Sequence, residues 1–125
     1  MKVLFICRAN RIRSRGAEAW FKERFPTEEF KSCGTDKSWV SITQDTFPDA
    51  QALSRELIEW ADKLVFMERM NQRDAIKKFG DDAIMDKINE VWGLEDIFDS
   101  WDDPLLIRCF ESWRLDDFFT EKEIQ

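Results

Sequence analysis

Four of the chain's ten arginines, Arg8, Arg11, Arg13 and Arg15, fall within eight consecutive residues of a protein that is otherwise acidic, with a formal net charge of −7 over 125 residues. Cys7 stands at the head of this run and Arg13 near its end, followed by Ser14, so the segment reads Cys-x5-Arg-Ser. A loop of that length can wrap a tetrahedral oxyanion. Its successive amides and the planar guanidinium grip the oxygens, while the sulfur lies beneath the central atom, placed for nucleophilic attack. Neither Cys33 nor Cys109 has an arginine six residues on. The competing reading of the same residues is that Cys7 is a small core hydrophobe and the arginines are solvated.

Such a loop needs elements that present it. Val3, Leu4, Phe5 and Ile6 form a continuous apolar run, the pattern of a strand buried on both faces. From Ser14 onward, Ala17, Trp20, Phe21 and Phe25 recur at helical spacing and Pro26 closes the segment. The arginine-rich loop thus lies at the carboxyl end of a strand and the amino end of a helix. There, free backbone N–H groups and the helix dipole favour an anion and stabilise a thiolate. The alternation continues down the chain. A second strand is expected over residues 29–33, ending at Gly34, and a helix over 49–61 with Leu53, Leu57, Ile58 and Ala61 on one face. A strand at 64–67 follows, then a helix opening at Asn71, with Ile76 and Phe79 inward and Gly80 as its C-cap. A short fourth strand falls within 88–94. Asp103-Pro104 opens a last helix with Leu106, Cys109, Phe110, Trp113, Asp117 and Phe118 along one side. Strands separated by helices predict an α/β fold, a parallel sheet with helices on both faces, in one domain spanning residues 1–125.

Composition removes several classes of function. The chain has no histidine, so Ser-His-Asp and Cys-His catalysis and histidine-ligated metals are excluded, and acid–base work falls to carboxylates, thiols or lysines. Its pI near 4.7 argues against nucleic acid or an anionic membrane as a general partner. The three cysteines form neither a CxxC pair nor an even-numbered disulfide framework, which predicts reduced thiols and a cytoplasmic location. The apolar run at residues 3–6 is too short for a signal peptide, so the chain is expected to begin at its mature N-terminus. No apolar stretch approaches the roughly 20 residues of a membrane span. Paired acids such as Asp81-Asp82 and Asp102-Asp103 suit solvated positions or helix starts better than a cation site, and neither a metal nor a cofactor is expected.

The segment from Val3 to Ser14, followed by Ala17-Glu18-Ala19, resembles the low-molecular-weight protein tyrosine phosphatases. It is most similar to a short bacterial branch of predicted phosphatases, and the likeness extends to Ser32-Cys33-Gly34-Thr35, Glu59-Trp60-Ala61-Asp62, Phe66-Met67-Glu68 and Asp96-Ile97-Phe98-Asp99. The resemblance implies a three-layer fold with a four-stranded parallel sheet in the flavodoxin-like order 2-1-3-4. It implies phosphomonoester hydrolysis through a phosphocysteine, most readily on phosphotyrosine proteins or small aryl phosphates, with inorganic phosphate or sulfate as loop ligands. Cys7 is then the nucleophile, Arg13 the phosphoryl-binding group, Ser14 a hydrogen-bond donor to the thiolate and Asn10 the holder of loop shape. Arg8, Ala9, Asn10, Arg11 and Ile12 form the substrate-binding loop. Trp39 and Trp101 are candidate pocket walls, although each also suits partly buried apolar surface.

The general acid of that family is an aspartate in an Asp-Pro-Tyr-like segment, and here the sequence departs from it, having no tyrosine. Asp99 and Asp103 compete for the role; Asp99 is favoured, because Asp103 has the competing duty of capping a helix. Ala9 stands where the family often has Gly, Ile12 where many members carry a second cysteine able to protect the first, and Arg15 where Pro is common. Two further functions stay open. One is a non-catalytic phosphate-binding or interaction module. The other is arsenate reduction, which would need two more relay cysteines, whereas Cys33 and Cys109 fall at positions suited to core packing.

Overall fold

The computed structural model describes residues 1–113, 115, 118 and 119. Its strands are β1 (Lys2–Cys7), β2 (Glu29–Gly34), β3 (Lys63–Phe66) and β4 (Ile88–Val91), all parallel, in the order β2-β1-β3-β4. Among the described residues six helices connect and follow them: α1 (Arg13–Arg24), α2 (Lys37–Thr43), α3 (Arg55–Trp60), α4 (Arg69–Phe79), α5 (Asp81–Met85) and α6 (Pro104–Ser112). The expected strand order and parallel sheet are therefore the observed ones.

β1 is central, and its side chains alternate between two cores as the pleat requires. Val3, Phe5 and Cys7 face a layer that contains Ala17 and Phe21 of α1 with Leu106 and Phe110 of α6. Leu4 and Ile6 face the opposite layer, with Leu57 and Ile58 of α3, Ala75 of α4 and Ile84 of α5. Helices thus cover both faces. The first layer is dominated by aromatics: the Phe5 and Phe21 rings lie 5.0 Å apart and tilted, and Trp20 packs edge-on against Phe21 at 5.0 Å. Burying each such ring is worth about 1.5–3 kcal/mol, which ties α1 firmly to β1.

Helix ends follow the local signals. Asp103 accepts from the Leu105 N–H at 2.9 Å and Pro104 occupies the first helical position of α6. Gly80, at φ +96°, ends α4 and opens α5. Three local expectations shift. The helix expected over 49–61 is confined to α3, because Gly34 N–H donates to Gln51 and Leu53 N–H donates to Gly34, pulling residues 51–53 alongside β2. Leu53 is buried in the core from that extended position. Helix α2, absent from the periodicity reading, is capped by Asp36, which accepts from the N–H groups of Ser38 and Trp39. The last helix stops at Ser112, so Phe118 reaches the core beyond it. Asp117, expected along that helix, lies outside the described residues. Among the described residues, no helix is long and apolar enough to cross a membrane.

Candidate active site

β1 delivers Cys7 to the carboxyl end of the sheet, and residues 8–12 loop back to the start of α1 at Arg13. A cavity of about 170 Å³ opens there, lined by Cys7, Arg8, Ala9, Arg11, Ile12, Arg13, Trp39 and Asp96. Cys7 itself is 3% exposed and sits at the floor. Its Sγ lies 3.3 Å from the Asn10 N–H and 2.9 Å from Ser14 Oγ.

Asn10 adopts a left-handed backbone, φ +56°, which asparagine tolerates better than most side chains, and this turns its N–H toward the sulfur. Its amide orientation is determined by its partners. Oδ1 accepts from the Gln51 N–H at 3.1 Å, so Nδ2 is the atom facing Ser14 Oγ (3.1 Å) and Ser32 Oγ (2.9 Å). With one lone pair of Ser14 Oγ occupied by Asn10, the Ser14 hydroxyl proton is free to donate to Cys7 Sγ, its nearer acceptor; the Cys33 carbonyl is 3.4 Å away. Ser32 in turn donates to Glu18 Oε1 at 2.5 Å. A buried polar chain therefore runs from Glu18 to the sulfur without an unsatisfied member.

Gly34 pairs with Cys7 across β1 and β2. A Cβ there would come within 2.6 Å of the Arg8 carbonyl oxygen, 2.7 Å of Val40 Cγ2 and 2.9 Å of the Asn10 nitrogen. Thr35 and Asp36 donate backbone N–H bonds to the carbonyls of Cys7 and Arg8 at 2.9 and 3.0 Å. The strand end thus backs the loop through main-chain contact that leaves no space for a side chain.

Arg13 is 4% exposed and lines the cavity. Its Nη1 donates to Glu68 Oε1 at 2.6 Å and to the Leu94 carbonyl at 2.8 Å, and its Nε is 3.8 Å from Asp96 Oδ1. Glu68 precedes α4 and its own N–H donates to Asn71 Oδ1. Arg8 reaches over the wall instead, with its guanidinium 5.4 Å from the Trp39 ring centroid and Nε 3.6 Å from Asp36 Oδ2. Backbone donors from Trp39 and Ser38, with Arg8 and Lys78 nearby, hold the Asp36 carboxyl below the ordinary aspartate range.

The sequence-derived set is only partly assembled here. Cys7, Arg8, Ala9, Arg11, Ile12, Arg13 and Trp39 line the cavity, and Asn10 and Ser14 lie buried behind it. Asp99 and Trp101 do not line it. After β4 the chain continues along β3, with Trp92 N–H on Phe66 and Leu94 N–H on Met67, which carries Asp96 to the rim beside Arg13. Phe98 is then buried in the core, and the chain turns away across α1. Asp99 lies beyond that anchor, with its N–H donating to Asp103 Oδ2 at 2.9 Å. The Trp101 carbonyl oxygen sits over Gly16, 2.5 Å from where a Cβ would be, and Trp101 lines a separate groove with Arg15, Phe47 and Asp49. Asp103 is occupied as the cap of α6.

Sequence reasoning missed Asp96 and Glu68 as site residues. Both fall in segments that match the resemblance, Asp96-Ile97-Phe98-Asp99 and Phe66-Met67-Glu68, and the signal available for each was its place just after a strand. Cys33 is fully buried behind Cys7, and burial, with Cys7 and Glu18 adding, pushes its thiol well above the ordinary range. Cys109 packs partly buried against the α1–α6 core.

No protein-family model matches the chain, and no curated protein matches it by sequence. Solved structures do. A low-molecular-weight protein tyrosine phosphatase from T. tengcongensis superposes with a TM-score of 0.59 at 26% identity, covering 86% of each chain. The YwlE arginine phosphatase of Geobacillus stearothermophilus gives 0.60 at 19% identity, covering 98% of this chain and 99% of that one. A YwlE mutant from Bacillus subtilis gives 0.58 at 24% identity, covering 79% and 80%. In fold, and in the sequence of its first strand–loop–helix unit, the chain resembles the low-molecular-weight protein tyrosine phosphatases, and its structural neighbours belong with that family.

Proposed function

We propose that this chain is a phosphomonoester hydrolase that works through a phosphocysteine at Cys7, with Asp96 as its general acid and base. The observation that carries the reading is the environment of Cys7 Sγ: it receives the Asn10 N–H and faces the Ser14 hydroxyl at the floor of a cavity that Arg13 also lines. These contacts orient the sulfur beneath the place of the central atom, and a cysteine sulfur so held can act as a nucleophile.

The sequence of steps balances with the groups at hand. The Cys7 thiolate attacks phosphorus, an S–P bond forms and the P–O ester bond breaks, while a carboxylic acid gives its proton to the departing oxygen. Water then attacks phosphorus, the same carboxylate takes the water proton, and the S–P bond breaks to release inorganic phosphate and the thiolate. Loop amides and Arg13 neutralise the charge on the transferring oxygens, which is the principal demand of phosphoryl transfer. Asp96 replaces Asp99 in this scheme because it borders the cavity 3.8 Å from Arg13 Nε, whereas Asp99 lies past the buried Phe98.

Trp39 forms one wall, and its ring offers an aromatic leaving group a stacking surface, so aryl phosphates, including phosphotyrosine, are the preferred substrates. The neighbours include phosphatases named for tyrosine and for arginine, so both phosphoamino acids belong in the substrate test. The decisive experiment is hydrolysis of p-nitrophenyl phosphate by the natural chain beside Cys7→Ser, with phosphotyrosine and phosphoarginine peptides compared. Turnover lost completely in Cys7→Ser supports the reading. Phosphate binding by the natural chain with no turnover would instead make this a binding module. Arsenate turnover with thioredoxin would favour reduction.

A further inference from the structure

Arg15 belongs to the arginine cluster but does not line the Cys7 cavity, and the hydrolytic scheme leaves it without a task. It occupies the first turn of α1 with its side chain 14% exposed. Its Nε donates to the Asn10 carbonyl at 3.2 Å. Its Nη1 donates to both carboxylate oxygens of Asp49, at 3.0 and 3.3 Å, and its guanidinium lies 4.2 Å from the Phe47 ring centroid. Three parts of this group are engaged: Nε on the loop backbone, Nη1 on a carboxylate, and one face of its plane on an aromatic ring.

The target of the Nε bond is informative. Asn10 is the left-handed residue whose N–H points at Cys7 Sγ. Anchoring the carbonyl of a residue whose N–H is already engaged constrains both of its backbone torsions. Strained loop conformations of this kind persist only where the surroundings over-determine them. Asn10 is already tied through Oδ1 to the Gln51 N–H; Arg15 adds a second tie, through Asp49, to the same neighbouring segment. Because Asp49 neutralises the guanidinium, Arg15 acts on the cavity through geometry more than through its field.

We propose that Arg15 is a positioning residue of the anion loop: it holds Asn10 left-handed through its carbonyl, so that the Asn10 N–H stays on Cys7 Sγ, with Asp49 and Phe47 holding the guanidinium in place. The proposal rests on the Cys7 cavity being the oxyanion site. An ammonium cannot reproduce the arrangement, since only the planar fork can serve Asn10 and Asp49 while stacking on Phe47.

The test uses the full chain and its Arg15→Met, Arg15→Lys and Asp49→Asn variants. Three quantities are read: calorimetric affinity for inorganic phosphate, the NMR resonance of the Asn10 amide, and kcat and KM for p-nitrophenyl phosphate. Both Arg15 variants are expected to weaken phosphate binding about threefold to tenfold and to move the Asn10 resonance, as loss of a charge-assisted bond to a loop carbonyl implies. Asp49→Asn alters an exposed partner of Arg15, and is expected to shift both in the same direction by less. Arg15→Lys with wild-type affinity and an unmoved Asn10 resonance would overturn the positioning role, as would a natural chain with no phosphate affinity. If the natural chain binds phosphate but turns over no aryl phosphate, the hydrolase reading fails, and Arg15 is judged on binding and resonance alone.

Discussion

Arg13 and Glu68 are joined across the sheet by a 2.6 Å bond between Nη1 and Oε1, linking the end of the Cys7 loop to the residue that precedes α4. The guanidinium is almost wholly buried while the carboxylate is about one-third exposed, so the pair is asymmetric: Glu68 fixes Arg13 more than Arg13 fixes Glu68. Replacing Glu68 by Gln keeps an acceptor in place but removes the charge that holds the fork. The expected result is a fall in kcat/KM for aryl phosphate of about 10- to 100-fold, the scale of a displaced positioning group. Steady-state kinetics check it, and unchanged kinetics would show that the Leu94 carbonyl alone suffices to hold Arg13.

Asp96 and Asp99, three residues apart after β4, are expected to separate cleanly. Asp96→Asn should lower kcat for substrates with poor leaving groups by about 10²- to 10⁴-fold, the usual contribution of a proton-transfer group, read by steady-state kinetics. Asp99→Asn should change kcat by less than about threefold, because its amide remains and Asp99 lies beyond the Phe98 anchor. Reversal of that order would place the acid at Asp99 and require residues 96–103 to rearrange on binding substrate.

Loop shape is testable through small substitutions at two positions. Gly34→Ala drives a methyl to within 2.9 Å of three atoms, two of them loop backbone, and is expected to cost about 1–3 kcal/mol of stability together with phosphate affinity. Comparing Asn10→Gly with Asn10→Ala separates two roles: both lose the side-chain network, but only Gly adopts the positive φ without strain. The Ala variant should therefore be the less stable in urea titrations.

Asp103 gives a pH-dependent prediction with a definite sign. Backbone N–H bonds from Asp99 and Leu105 hold its carboxyl below the ordinary aspartate range. A lowered folded-state pKa contributes stability that is complete above the unfolded value of about 4 and is lost as pH falls through the lower folded value. The Tm difference between the natural chain and Asp103→Asn should accordingly be largest near neutrality and shrink as pH falls below about 4. A gap independent of pH would mean that the cap is worth the same protonated or ionised.

Local patterns in the chain carry a large part of the fold. The four-residue apolar run of β1, the 3.6-residue spacing of α1 and the Asp-Pro start of α6 all appear where their own chemistry indicates. The Cys7-to-Arg13 spacing was equally legible, because a loop between one strand and one helix is closed by short-range geometry. Helix α2 was not, since it owes its start to one Asp36 cap and buries only Val40 and Thr43. The extent of α3 was missed because Gly34 recruits residues 51–53 into pairing that no local pattern announces.

Residue order by itself determined which sulfur, which guanidinium and which strand end meet, since those groups are neighbours along the chain. Tertiary structure alone decided which carboxylates join them. Asp96, Asp99 and Asp103 are chemically alike and close in sequence, and their roles diverge because Leu94 is bonded to Met67, Phe98 is drawn into the aromatic core and Asp103 caps α6. The direction a loop acid faces is set by where its neighbours are buried, and burial is a property of the packed molecule rather than of the local sequence.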